Sequence, residues 1–282
     1  MNLKRKTIAK EFVVEGKGLH NGRYNFLILK PKFNETGISF INTDNGEKIN
    51  FNTESVMGVE RGTVIGNDKF KVSTVEHLMS AFLAFDIDDV DIEIKGDEIP
   101  AFDGSSKFFA DMIEKVGTVE KKEDADFFSV DTALEMESGG SYYKIEKHET
   151  FNIECVYENP HPLAGRQVIS IDINRENYIR EIAPARTFGF DYEIEWLKKN
   201  NLALGGSLSN AVVLTKDSVM NKEGLRFKDE FVRHKLLDLL GDLRICGFRF
   251  KNVKITALRP SHKANYDFSK LLVARRCYGK AE

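Results

Sequence analysis

EFVRHKLLDLLGDL, residues 230–243, is the stretch on which the reading of this chain turns. On a helix, His234 and Asp238 stand four apart and share one face, a turn from each other. Asp242 carries that stripe further, roughly 12 Å from His234 at a rise of ~1.5 Å per residue. Leu236, Leu237, Leu239, Leu240 and Leu243 cover enough of the circumference to make the helix largely buried. Buried imidazoles and carboxylates are destabilising by several kcal/mol unless paired or metal-bound. Two readings of His-x-x-x-Asp stand side by side: a solvated stripe on an amphipathic helix, or a pair of metal ligands.

Outward from this helix, the same order of elements occurs twice. In the first half, KRKTIAKEFVVEG and YNFLILK read as strands, with the Gly-rich turn GKGLHNG between them. A helix is expected from Thr74, with Val75, Leu78, Met79, Phe82 and Leu83 at helical spacing. A strand over Asp89–Gly96 and a helix over Lys107–Val116 follow. The charged stretch EKKEDAD, Glu120 to Asp126, breaks the apolar pattern and reads as the boundary. The second half has strands from Phe127 to about Ile173, the long helix Asp229–Cys246, a strand Lys251–Leu258 and a last helix His262–Arg276. Each half thus ends in helix, strand, helix, and each first helix carries Val-x-His (Val75 to His77; Val232 to His234). An additional unit, about 185–214, contains ARTFGF, a short helix in DYEIEWLKKNN, the loop ALGGSLS and a strand NAVVLTK. The expectation is an α+β protein of two similar halves, domains 1–120 and 127–276, with a small insert in the second.

Composition narrows the functional classes. Across 282 residues, 41% are hydrophobic and 21 are Phe, enough for a real core and too many for a disordered chain. Lys and Arg total 41 against 44 Asp and Glu, a net charge of −3, so no general attraction to nucleic acid or an anionic membrane is expected. Cys155, Cys246 and Cys277 are far apart and form no CxxC pair, which argues against a disulfide scaffold or thiolate zinc site. The N-terminal segment lacks the apolar run of a signal peptide. Leu78–Phe85 falls far short of the ~20 residues that cross a bilayer. A cytoplasmic protein without stable membrane insertion is the expectation.

STVEHLMSA, Ser73 to Ala81, offers a third ligand for the stripe. His77 has the reading of a satisfied core histidine, and Ser73-x-x-Glu76 that of a capping box. With His234 and Asp238, however, His77 completes two imidazoles and one carboxylate, the set of an open hydrolytic zinc site. Glu76 then stands where a general base would deprotonate a metal-held water. His262, in RPSHKAN before the last helix, is a candidate general acid or a surface histidine near a helix cap. In ARTFGF, Thr187 offers a hydroxyl for an oxyanion and Phe188 a stacking face, although Thr beside Phe is common in any strand. GKGLHNG and ALGGSLSN are too irregular for a nucleotide fingerprint. FDGSS reads as a turn in which Asp103 is structural; His148 and His161 have no evident partners.

GKGLHNGR, STVEHLMSA, GDEIPAFDGSS, ARTFGF, GGSLSNAVV and above all RHKLLDLLGD together resemble the UDP-3-O-acyl-N-acetylglucosamine deacetylase family, zinc enzymes of bacterial lipid A synthesis. The resemblance runs nearly end to end. It implies that His77, His234 and Asp238 bind the zinc, that Glu76 is the general base, and that His262 is the general acid, oriented and charged by Asp242. It also implies that Thr187 steadies the oxyanion, that Lys235 meets the nucleotide diphosphate, and that Phe188 and Leu19 line the sugar and acyl sites. Fe²⁺ suits the same ligands. The implied fold has helical layers between outer sheets, the site between two domains, and residues 185–214 around the acyl chain. The implied partner is a small UDP-sugar substrate with an acyl chain, acted on by a monomer. Pro260 and Ser261 stand where the family pattern leads one to expect glycines before His262. Two other classes remain: a zinc amidohydrolase of another N-acyl amino sugar, and a non-catalytic nucleotide-sugar-binding relative.

Overall fold

The computed structural model describes residues 3–279. Its frame is two five-stranded sheets of the same design. The first runs Phe12–Lys17, Tyr24–Pro31, Val90–Lys95, Ile38–Asn42, Lys48–Asn50. The second runs Leu134–Ser138, Ser141–Lys147, Val253–Leu258, Phe151–Glu158, Arg166–Asp172. In both, the last strand in sequence is inserted between two hairpins. It lies antiparallel to the second strand and parallel to the third (Ile38↔Val90 and Phe151↔Val253 register the parallel pairs). The repeated order of elements in the sequence is therefore a repeated topology.

Six helices occur among the described residues: α1 (Glu76–Ala84), α2 (Lys107–Val116), α3 (Arg175–Asn177), α4 (Ile194–Lys199), α5 (Glu230–Leu243) and α6 (His262–Gly279). Every residue of α1 is buried, and in α5 all except Arg233 and Lys235. These two are central helices rather than amphipathic covers. They pack on each other, while α5 also contacts α6 and the strands Phe151–Glu158 and Arg166–Asp172. Gly241 permits the crossing: a Cβ there would lie 2.1 Å from the Glu76 carbonyl oxygen. One continuous apolar cluster runs from Ile8 and Leu27 of the first half to Leu237, Ile255 and Leu272 of the second. Each such large side chain stabilises the fold by roughly 1.5–3 kcal/mol.

Most of the charged stretch at 120–126 is itself a strand, Thr118–Asp124, pairing antiparallel with Lys4–Ile8. Lys121 is turned inward, 3.0 Å from Asp89, which also takes a bidentate bond from Arg5. Charge there builds a buried ion network. The insert holds a 3₁₀ turn at Asp191–Glu193, then α4, and a two-stranded parallel sheet of Phe188–Phe190 with Val212–Leu214. A three-stranded sheet, Val56–Gly58, Val64–Gly66 and Lys71–Val72, has no counterpart in the sequence reading. Cys155 and Cys246 are buried free thiols, and the side chain of Cys277 lies outside the described residues. No helix among the described residues is long and apolar enough to cross a membrane.

Candidate metal centre

The α1–α5 crossing brings residues 157 positions apart in sequence, His77 and His234, into an edge-on contact with ring centroids 5.1 Å apart. Asp238, one turn along α5, completes the group. Its Oδ1 is 3.3 Å from His234 Nε2 and 3.8 Å from His77 Nε2. All three side chains are buried, with donor atoms within 4.8 Å of one another. A tetrahedral zinc with ligands at about 2.0–2.1 Å holds its donors about 3.3–3.4 Å apart, so this set fits such an ion with little adjustment. The imidazoles are ready for it. The Ala185 carbonyl, 3.1 Å from His234 Nδ1, accepts a hydrogen bond from Nδ1–H, which keeps the proton on that nitrogen and leaves the Nε2 lone pair free. Burial, then the neighbouring His234, pushes His77 down to about 3, keeping it neutral. Burial would raise Asp238, but His234 and Lys235 outweigh it and hold the carboxyl below its usual range.

Glu76 opens α1 beside this group. The capping box is absent: Val75 occupies the N-cap position without a side-chain bond, and the Glu76 carboxylate instead accepts from Thr63 N at 3.0 Å. A remote loop, not the local helix end, fixes this carboxylate. Burial, reinforced by Asp242 and Asp238, pushes Glu76 up to about 7. His262 is moved by the opposite balance. Burial works to lower it, but Asp242, whose Oδ2 accepts from His262 Nδ1 at 2.8 Å, carries it up to about 9. Asp242 in turn accepts from Thr63 Oγ1 at 2.5 Å and from Asn265 Nδ2 at 2.8 Å. The Pro260–Ser261 turn does not displace the histidine: His262 Nε2 lies 3.9 Å from Asp238 Oδ2. Ser261 Oγ accepts from Ala264 N at the start of α6, so its side chain supports the helix end.

A cavity of about 270 Å³ is lined by Glu76, His77, His234, Lys235, Asp238, His262, Thr187, Phe188 and Leu19. Of the residues to which the resemblance assigns a role, only Asp242 is absent from that lining; it stands behind His262. Lys235 Nζ donates to Asp238 Oδ2 at 2.8 Å and lies 5.6 Å from the centre of the Phe188 ring. A second, more apolar pocket of about 300 Å³ shares Leu19, Thr187 and Phe188 and continues along the insert past Phe190, Ile194, Leu197, Leu208 and Val213. Asp103 is structural, binding Ser105 and Arg226. His148 and His161 line neither pocket.

Sequence reasoning passed over several residues that hold this arrangement. Thr63 serves both Glu76 and Asp242, and comes from the loop between the first two strands of the unexpected three-stranded sheet. Glu98 receives the backbone N–H groups of His20 and Asn21 at 2.7 and 2.8 Å, holding the loop that presents Leu19. Glu230 extends the 234–238–242 stripe one turn backward. Its i−4 spacing from His234 was the available signal.

An α+β protein whose central cleft gathers two imidazoles and a carboxylate, beside a raised carboxyl and a histidine–aspartate pair, has the makings of a metal-dependent hydrolase. Residues 5–274 match the family model for UDP-3-O-acyl N-acetylglycosamine deacetylase, and the chain belongs to that family. Several curated relatives carry the name UDP-3-O-acyl-N-acetylglucosamine deacetylase. That of Nautilia profundicola is 39% identical over 276 residues, spanning 98% of this chain and 94% of the relative. That of Campylobacter fetus subsp. fetus is 40% identical over 247 residues, 87% and 83% of the two chains. The Syntrophotalea carbinolica protein is 37% identical over 281 residues, 99% and 91%.

Proposed function

We propose that this protein hydrolyses the N-acetyl group of a UDP-3-O-(3-hydroxyacyl)-N-acetylglucosamine, releasing acetate and a free 2-amino group, in lipid A biosynthesis. The observation that carries the reading is the convergence of His77, His234, Asp238, Glu76 and the His262–Asp242 pair on one cavity that opens along an apolar pocket.

His77, His234 and Asp238 would hold zinc, and Fe²⁺ would suit the same donors. When bound, the ion supplies a Lewis acid that polarises the acetamide carbonyl and lowers the pKa of water toward ~7. Glu76 takes the proton from the attacking water, a task suited to a carboxyl whose proton affinity burial has raised. His262, protonated at neutral pH, delivers a proton to the leaving nitrogen as the C–N bond breaks. Asp242 keeps that imidazole charged and aimed. The Thr187 hydroxyl donates to the oxygen on which negative charge develops. Lys235 meets the diphosphate, while Leu19, Phe188 and the insert at about 185–214 take the acyl chain out of water. The two halves, 1–120 and 127–276, act as domains that share this one centre, and the active species is the monomer.

The test measures metal per chain together with acetate released from the UDP-sugar, with and without chelator. Near one equivalent of metal and chelator-sensitive acetate release are expected. Acetate release that persists in metal-free protein, or none from the metal-loaded protein, overturns the reading.

A further inference from the structure

Glu230 is fully buried and sits on α5 one turn before His234. Its Oε1 accepts from the Arg186 backbone N at 3.0 Å and from Arg186 Nε at 2.8 Å. Its Oε2 accepts from Arg186 Nη2 at 3.2 Å and from the Arg226 backbone N at 2.6 Å. Arg186 is 3% exposed and spends its other donors on Glu223 Oε1 (2.9 Å) and the Gly224 carbonyl (2.7 Å). Neither Glu230 nor Arg186 lines the metal-centre cavity or the apolar pocket, so neither touches substrate there.

What the pair fixes is a stretch of backbone. Arg186 stands between Ala185, whose carbonyl accepts a hydrogen bond from His234 Nδ1–H, and Thr187, which lines the cavity. Glu230 grips both the backbone N–H and the guanidinium of that central residue, from a position four residues before the ligand. A buried ion pair contributes little net stability compared with a well-packed apolar pair. It does specify direction, because a bidentate guanidinium–carboxylate fork admits few geometries.

We propose that Arg186 and Glu230 are positioning residues of the metal centre: their clamp holds the Ala185 carbonyl against His234 Nδ1 and so presents Nε2 to the ion beside His77 and Asp238. The proposal rests on the reading of His234 as a metal ligand. Partners that orient a ligating histidine are worth about 10–100-fold in metal affinity.

The experiment compares full-length wild type with Glu230→Gln in two ways. Zinc affinity is measured by competition with a chromophoric chelator, and the tautomer of His234 is read by ¹⁵N-histidine NMR of the metal-free protein. The zinc dissociation constant is expected to rise 10–100-fold, and the Nδ1-protonated signal of His234 to be lost or broadened while His77 keeps its own. A folded Glu230→Gln that binds zinc within twofold of wild type, with His234 still protonated at Nδ1, overturns the clamp. Should that variant not fold, Arg186→Met with Glu230→Met leaves no buried charge unpaired, and the same two readouts and criteria apply. If wild type itself binds no zinc, the proposed function falls, and the tautomer comparison in metal-free protein alone decides the clamp.

Discussion

At Glu76 the removal of water favours the protonated carboxyl, while at His262 the same dry surroundings are overruled by a carboxylate 2.8 Å away. Two neighbouring groups are thereby shifted in ways that suit the opposite duties proposed for them, one to accept a proton and one to give it. The proposed ligands differ in kind: their loss should remove the ion itself. His77→Ala and Asp238→Ala are each expected to retain less than a tenth of the metal that wild type keeps through dialysis. Glu76→Gln is expected to keep its metal and lose about 10²–10⁴-fold in kcat, the usual contribution of a positioned base. Metal analysis and initial rates on the same samples check both. Full turnover by Glu76→Gln would remove that residue from the base role. Activity with a metal-free Asp238→Ala would remove the ligand set.

The helices expected from the α1 and α5 segments appear within two residues of their expected starts, because a buried helix writes its burial into every turn. The stripe of His234, Asp238 and Asp242 was legible for the same reason, since four-residue spacing is a local property. What local pattern could not yield was the partner of Glu76. Ser73 lies at capping-box distance in sequence, but Thr63, held in a turn between strands of two or three residues, takes the carboxylate instead. Such short strands carry too few residues for alternation to register. Nor could the sequence announce that Gly241 is the contact point of α1 and α5. Its Cβ would meet backbone atoms, which cannot rotate away. Gly241→Ala should therefore force the helices apart, destabilising the fold by about 1–3 kcal/mol as overpacking does. It should also weaken zinc binding, because the proposed ligands sit on both helices. Leu237→Ala should lower stability more, by about 2–5 kcal/mol, since it leaves a cavity. Urea midpoints and zinc affinity of the two variants separate the effects. A Gly241→Ala protein with both values unchanged would show that the crossing tolerates separation.

The two halves are joined where α1 packs on α5 and also by a network of buried charge elsewhere. Asp88 takes a bidentate bond from Arg249 of the second half, while Asp89 binds Arg5, Lys121 and the Gly37 N–H. This network makes the molecule's stability depend on acid in a definite direction. Burial works to raise Asp89, but its bonds to Arg5, Gly37 and Lys121 prevail and hold the carboxyl below its ordinary value. A carboxyl depressed on folding stabilises the native state fully above its unfolded value of about 3.9, and that stabilisation is lost as pH falls through the lower, folded value. At pH 7, Asp89→Asn leaves Arg5 and Lys121 buried without their counter-charge and should destabilise the protein by about 3–5 kcal/mol. Below about pH 4 the unfolded wild-type chain takes up a proton that the folded carboxyl still refuses, so its stability falls and the difference between the two proteins should shrink. Urea midpoints of both, measured at pH 7, 4 and 3, check this. A gap that stays constant down to pH 3 would mean that Asp89 does not couple folding to protons, and the acid sensitivity of the chain would have to arise from other carboxylates.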